Sequence, residues 1–177
     1  MKDPKTKFLT VLNDIKNKRP CWIGQWLTLR IKSSVFQGKN PAWACGNKIY
    51  ISPHYQNIED ADIIRYLIAH EYGHVYHYHT ILRFLLWIIF IPLLCVILIM
   101  CFPWFATDIG KWFLGFVLIS IIWHFNIKAE FEADKMVADI YGPKIVLKGL
   151  EWGKENDFSK ARKQRISKIN ELINKRD

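Results

Sequence analysis

Nineteen consecutive residues without a charge, Phe84 to Phe102, constrain this chain more than any other feature. A helix rises about 1.5 Å per residue, so such a run reaches across a hydrocarbon layer of roughly 30 Å. The run extends to Ala106 if Pro103 is accepted. A chain of 177 residues has room for one domain with a moderate core and little protein to cover a segment of this kind. The run is therefore read as a membrane segment, with a hairpin buried in a soluble core as the alternative. Pro92 can kink it, which membrane helices tolerate. A second segment, Ile109–Ile127, reaches nineteen residues by accepting Lys111, His124 and Asn126, and its uninterrupted centre, Trp112–Trp123, is twelve residues. It is the less secure crossing, and a re-entrant or interfacial course stays open for it. Lys111 can snorkel, and the flanking tryptophans suit an interfacial belt. The expectation is a transmembrane helical hairpin at 84–106 and 109–127.

The net charge of +9 matters through its placement. Residues 1–20 carry six Lys/Arg against two acids, and residues 143–177 carry ten against five. Phe84–Phe125 holds only Asp108 and Lys111. Basic ends around an apolar middle suit an anionic membrane surface, so membrane lipid is an expected partner. No zinc finger, RNA-recognition signature or aromatic–basic alternation supports a nucleic-acid partner. Arg83, Lys128, Lys135 and the basic tail lie outside the hairpin, so the excess of positive charge keeps both ends cytoplasmic. Residues 1–20 lack the apolar core and small-residue cleavage site of a signal peptide. Cys21, Cys45, Cys95 and Cys101 form no C-x-x-C pair, which fits free thiols in a reducing compartment. A bacterial inner membrane is the expected location, with a eukaryotic internal membrane of the same orientation as the alternative.

Around the hairpin the periodicities are mixed. Phe8, Leu9, Leu12 and Ile15 recur at helical spacing over residues 5–18, and Pro20 ends that helix. Trp26–Lys32 alternates loosely and Lys48–Ser52 is short and β-branched; with Gly38–Pro41 and Gly46-Asn47 as punctuation, two or three strands are expected. Asn57, with Asp60 three residues on, reads as a helix start, and Ile63, Ile64, Leu67 and Ile68 carry the period towards His79. A further helix runs from Asn126 to Ile140 and ends at Gly142-Pro143, and Ile166, Ile169, Leu172 and Ile173 line one face of a basic C-terminal helix.

On the helix after Pro53 stands His70-Glu71-Tyr72-Gly73-His74. Histidines four apart project from one face and can share a metal ion through their imidazole nitrogens. Glu71 sits about 100° round the axis, placed to reach a metal-bound water without becoming a ligand. Zinc brings the pKa of such a water near neutrality, and a carboxylate can then deprotonate it for attack on a peptide carbonyl. The pattern is short, and its bland reading is a helix whose histidines only pack. The small residues Ala69 and Gly73, which let another element approach closely, favour the functional one.

A catalytic zinc needs a third protein ligand and an open position. A metzincin places a glycine three residues after the second histidine and another histidine three beyond. Here those places hold His77 and Thr80, which excludes that class. His77 and His79 are possible ligands by composition, but His77 would have to close the site from the same rod as the pair. Glu130-Phe131-Glu132-Ala133-Asp134 offers more. On a helix Glu130 and Asp134 share a face and Glu132 points elsewhere. Glu130 can serve as third ligand, and Asp134 can accept a hydrogen bond from a ligand histidine's other nitrogen, fixing its tautomer. Glu132 is read as a solvated acid. No residue stands out to stabilise an oxyanion among Tyr72, Tyr76, Tyr141 and His124.

An H-E-x-x-H helix, an apolar hairpin and then E-F-E-A-D together resemble the HtpX and CAAX prenyl protease family of membrane gluzincins. The resemblance covers roughly residues 35–142. It implies an α+β fold: a mostly helical gluzincin-like zinc peptidase domain with a small β-sheet and an inserted transmembrane hairpin. It also implies Glu130 as the third zinc ligand beside His70 and His74. Asn40-Pro-Ala-Trp-Ala-Cys-Gly46 with Lys48-Ile-Tyr-Ile-Ser is similar to the family's N-A-F-x-x-G segment and edge strand. Asn40, Ala42 and Trp43 would then border the cleft, where the strand pairs with an extended peptide. Pro41 interrupts the family's Asn-Ala step, no membrane segment precedes the catalytic helix, and of a C-terminal His-Pro and Arg-Ile pattern only Arg165-Ile166 is present. Prenyl specificity is therefore not carried over.

The expected protein is a single membrane-anchored domain over 1–177, a zinc-dependent endopeptidase with one catalytic Zn2+. Its site would face the cytoplasm and take polypeptide or membrane-protein substrates. The alternative is a membrane-bound metal-binding or regulatory protein that hydrolyses nothing.

Overall fold

The computed structural model describes residues 4–31, 41–102, 104, 107–155 and 162–174. Helix α1, Pro4–Lys18, opens on a proline, whose fixed φ suits a first helical turn. Its apolar stripe, Phe8, Leu12 and Ile15, is buried, so the amphipathic helix packs on protein. A single turn, α2 (Trp22–Gln25), leads into a three-stranded sheet of β1 (Thr28–Ile31), β2 (Ala42–Cys45) and β3 (Lys48–Ile51). The spatial order is β1-β3-β2, with β1 parallel and β2 antiparallel to β3. Gly46 and Asn47 join β2 to β3, and Gly46 has φ +55°, the positive angle a two-residue hairpin needs at its first position. Register puts Leu29 and Ala44 beside Ile49, and Ala42 beside Ile51. All five are buried and form the sheet's inner face.

That face is covered by α3 (Ala61–Tyr76), which also packs on α1. The start of α3 lies later than the sequence reading placed it. Asp60 is the N-cap, its Oδ1 accepting from the Asp62 and Ile63 amides at 2.9 and 3.3 Å. Asn57 lies in the turn after a short 3-10 helix, Pro53–Tyr55. The helix also ends before His79: His77 is its C-cap and Tyr78 has φ +56°.

The chain then re-enters helix at α4 (His79–Leu85), passes a π-helical turn at Leu86–Phe90 and continues as α5 (Ile91–Cys101). Pro92 accounts for the widened turn, because it lacks an N–H for the Ile88 carbonyl and its ring crowds that oxygen. Helix α6 (Asp108–Tyr141) runs 34 residues without interruption. Thr107 caps it, its Oγ1 accepting from the Gly110 amide at 3.2 Å. The relative security of the two apolar segments is therefore reversed. Among the described residues only α6 is long and apolar enough to cross a membrane, and the first segment contributes a shorter apolar helix, Ile88–Leu98. Large apolar side chains face outward on both, among them Met100, Trp112, Phe116 and Trp123, the last three 82%, 70% and 65% exposed.

Gly142 (φ +92°) ends α6 and Pro143 opens α7, Pro143–Glu155; α8 is Arg162–Asn174. The C-terminal part of α6 packs along α3, with α7 and α8 closing the core through Val146, Leu150 and Ile169. Two glycines permit these approaches. A Cβ on Gly73 would lie 2.8 Å from Ala133 Cα, and one on Gly149 would lie 2.1 Å from the Tyr66 ring.

Candidate metal centre

Close contact at Gly73 and Ala133 brings one face of α3 against one face of α6. His70 and His74 lie on the first, one turn apart, and Glu130 and Asp134 on the second. The Glu130 carboxylate spans the two imidazoles, with Oε2 3.2 Å from His70 Nε2 and Oε1 3.6 Å from His74 Nε2. Asp134 stands behind His70, its Oδ1 3.0 Å from Nδ1. A carboxylate only accepts, so His70 donates from Nδ1, which leaves Nε2 as the nitrogen that faces Glu130 and can take either a proton or a metal ion. One ligand atom each from His70, His74 and Glu130 lie within 4.8 Å of one another. Among the described residues this is the group that could hold a metal ion.

Burial sharpens the electrostatics. Both histidines and Asp134 are buried. Arg165 of α8 is buried beside them, donating to Asp134 from Nε at 2.6 Å and from Nη2 at 2.7 Å, with Nη1 3.2 Å from Glu130 Oε2. Its Nη2 also donates to the Tyr66 hydroxyl at 3.0 Å. Two carboxylates against one guanidinium leave a net negative pocket facing the imidazoles, and such a pocket attracts a cation. Burial by itself would lower the His70 pKa, but the hydrogen bonds and charges of Asp134 and Glu130 outweigh it and hold it up at about 9. Nε2 of each histidine faces a Glu130 oxygen at near hydrogen-bond distance, an arrangement favourable with a proton or a metal cation between them. Two imidazole nitrogens and a carboxylate oxygen are the donor set that catalytic zinc sites use, so the residues fit that ion.

The family model described as Peptidase family M48 matches residues 41–145, more than half of the chain, from β2 through both histidines to Glu130 and Asp134. The chain belongs to peptidase family M48. That family contains the HtpX and CAAX protease-like gluzincins, and membership implies metallopeptidase activity. No curated protein and no solved structure matches the chain.

The remaining expected site residues of this M48 chain are placed as follows. Glu71 is half-buried on α3 between the histidines. Ala42 and Trp43 lie on β2, which pairs with β3 on one side and packs near α3. Ala42 is buried, whereas Trp43 stacks on Tyr50 with ring centroids 5.7 Å apart. Asn40 lies outside the described residues. His77 stacks on His79 at 5.4 Å and is not among the three converging ligands. Two of the oxyanion candidates are engaged elsewhere, Tyr72 donating to the Arg19 carbonyl at 2.6 Å and Tyr141 to Asp14 at 2.7 Å.

Sequence reasoning missed the central place of Arg165. Its signal was present, because Arg165 stands four residues before Ile169 and so shares that buried residue's helix face. Glu132, read as a solvated acid, instead has Oε2 2.9 Å from His79 Nε2.

Proposed function

We propose that this M48 chain is a zinc-dependent endopeptidase that hydrolyses polypeptide or membrane-protein substrates at the cytoplasmic face of a membrane. The observation that carries the reading is the convergence of His70, His74 and Glu130, sixty residues apart in sequence, within 4.8 Å. Those three would hold the ion, leaving a coordination position open. A bound zinc supplies acidification of a water molecule and polarisation of the scissile carbonyl.

The chain's own residues do the rest. Glu71 accepts the proton of the attacking water and returns it to the leaving amine. Asp134 holds His70 in the tautomer that leaves Nε2 free, and Arg165 keeps Asp134 and Glu130 ionised and in place. Strand β2, which among the described residues has β3 on one side and no strand on the other, would take an extended substrate segment as an added strand. Trp43 would offer an aromatic surface beside it, and Ala42 its backbone, with Asn40 next to them.

One domain over 1–177, with a hairpin at 84–106 and 109–127 inserted between the zinc-binding helices, is the proposed organisation. The outward apolar surface of α5 and α6 supports lipid contact, since soluble monomers rarely expose patches of that kind. The basic flanks support cytoplasmic ends, and a bacterial inner membrane is the proposed location.

Purified wild type and Glu71→Gln are compared for bound zinc and for cleavage of an unfolded polypeptide. Equal zinc with cleavage reduced at least a hundredfold is expected, general-base catalysis contributing about 10²–10⁴-fold. Equal cleavage by both removes Glu71 from its role, and zinc binding without cleavage by either favours the non-catalytic alternative.

A further inference from the structure

We propose that His79 and Glu132 form a positioning relay that fixes the tautomer and orientation of His74, as Asp134 does for His70. The inference rests on the reading of His70, His74 and Glu130 as the metal site and assigns that site a second supporting arm.

His79 is the first residue of α4 and is 2% exposed. Its Nδ1 lies 2.9 Å from His74 Nδ1, and its Nε2 lies 2.9 Å from Glu132 Oε2. Proton positions follow by counting. The Glu132 carboxylate only accepts, so His79 carries a hydrogen on Nε2. A neutral imidazole protonated at Nε2 presents a lone pair at Nδ1. His74 must then donate its Nδ1–H to His79, which leaves the lone pair of His74 on Nε2, facing Glu130 Oε1 at 3.6 Å. The opposite tautomer would point a hydrogen at the ion and could not ligate it.

The backbone is bent in a way that brings this contact about. On an unbroken helix a residue five positions after His74 lies about 140° round the axis, on a different face. His79 reaches His74 because α3 stops at Tyr76 and the helical path is broken at Tyr78, with φ +56°, before α4 begins. Among the described residues Tyr78 is the one non-glycine residue with positive φ. A left-handed conformation costs a residue with a Cβ about 1–2 kcal/mol, and it persists only where the surroundings impose it. Here it aims a buried imidazole at the back of a ligand. Glu132, on a face of α6 different from that of Glu130, closes the far end, with Lys128 Nζ 3.9 Å from its second oxygen.

The test is the zinc dissociation constant, measured by competition with a chromophoric chelator, for the full-length detergent-solubilised protein and three variants. Thermal unfolding of each metal-free form is recorded alongside. His79→Ala is expected to weaken zinc binding about 10–100-fold, the range for loss of a group supporting a ligand. Glu132→Gln keeps the shape but loses the negative charge and the acceptor-only character that fixes His79, since its amide can present either NH2 or oxygen, so it should weaken zinc in the same direction without shifting metal-free unfolding. A purely structural role for the pair would not move that readout. His79→Asn, whose amide oxygen stands where Nδ1 stood, should recover most of the loss. Wild-type affinity in both His79→Ala and Glu132→Gln overturns the relay and leaves the metal site standing. A wild type that binds no zinc overturns the site itself and the relay with it. Should His79→Ala fail to fold, Glu132→Gln and His79→Asn decide between the same outcomes.

Discussion

At the scale of single residues, the site depends on contacts too close to tolerate one added carbon or one lost charge. A Cβ on Gly73 would meet Ala133 Cα at 2.8 Å and its Cβ at 3.2 Å, neither of which can rotate away. Gly73→Ala gains up to about 1 kcal/mol of helix propensity but incurs an overpacking penalty of about 1–3 kcal/mol. It should also push α3 from α6, so a lower unfolding temperature together with weakened zinc binding is expected. Gly115→Ala, on the same α6 where a Cβ meets nothing within 4 Å, should leave zinc affinity at the wild-type value. Arg165→Ala leaves Asp134, wholly buried, without its cation. A loss of about 3–5 kcal/mol is expected in detergent unfolding experiments, and Arg165→Lys should not restore it, because an ammonium cannot span both Asp134 oxygens. The candidate ligands were legible in the sequence because helical spacing alone puts His70 with His74 and Glu130 with Asp134. Arg165 was not, because its helix face is visible but its opposing element is not. His79 was hidden by Tyr78, since nothing about a tyrosine announces a left-handed residue.

Secondary-structure elements came through the sequence according to the strength of their boundary chemistry. Pro20 and Gly142-Pro143 stop helices by backbone sterics, and those ends are where they were read; that Pro143 also opens α7 was not read, although a proline suits a first helical turn. The start of α3 was read at Asn57 because Asn and Asp are both cap-competent, and Asp60 has the geometry. Asp60→Ala should therefore cost about 0.5–2 kcal/mol. With about 2–4 °C per kcal/mol for a chain of this size, the midpoint should fall by a few degrees. The exposed Lys148–Asp60 pair at 2.8 Å adds little to that. An unchanged midpoint would remove Asp60 as the cap. Helix α6 was underestimated for a different reason. Lys111, His124, Asn126 and Lys128 interrupt an apolar run, but polarity does not interrupt a helix; it decides only which solvent the helix can enter. In the first segment the opposite holds, where composition is uniformly apolar and Pro92 divides the rod.

For the whole molecule, the proposed hairpin makes a topological statement that a labelling experiment can check. Cys45, on β2, and Cys101, at the end of α5, are both exposed and form no disulfide. In inverted vesicles a membrane-impermeant maleimide should modify Cys45 and spare Cys101, whereas in intact spheroplasts Cys45 should be protected. Labelling of Cys45 from the outer side would reverse the orientation. Sheet, helices and candidate metal centre are assembled from segments on both sides of the apolar region, so on the proposed topology the domain would form only once the hairpin had returned the chain to its starting side. The unbroken course of α6 then acts as a ruler. Seven residues separate Trp123 from Glu130, about 10 Å of helix, with no hinge between them. If α6 crosses a bilayer as proposed, a residue count would fix the height of the candidate site above the lipid headgroups, and the place of a cut would be measured from the bilayer surface as much as read from substrate side chains.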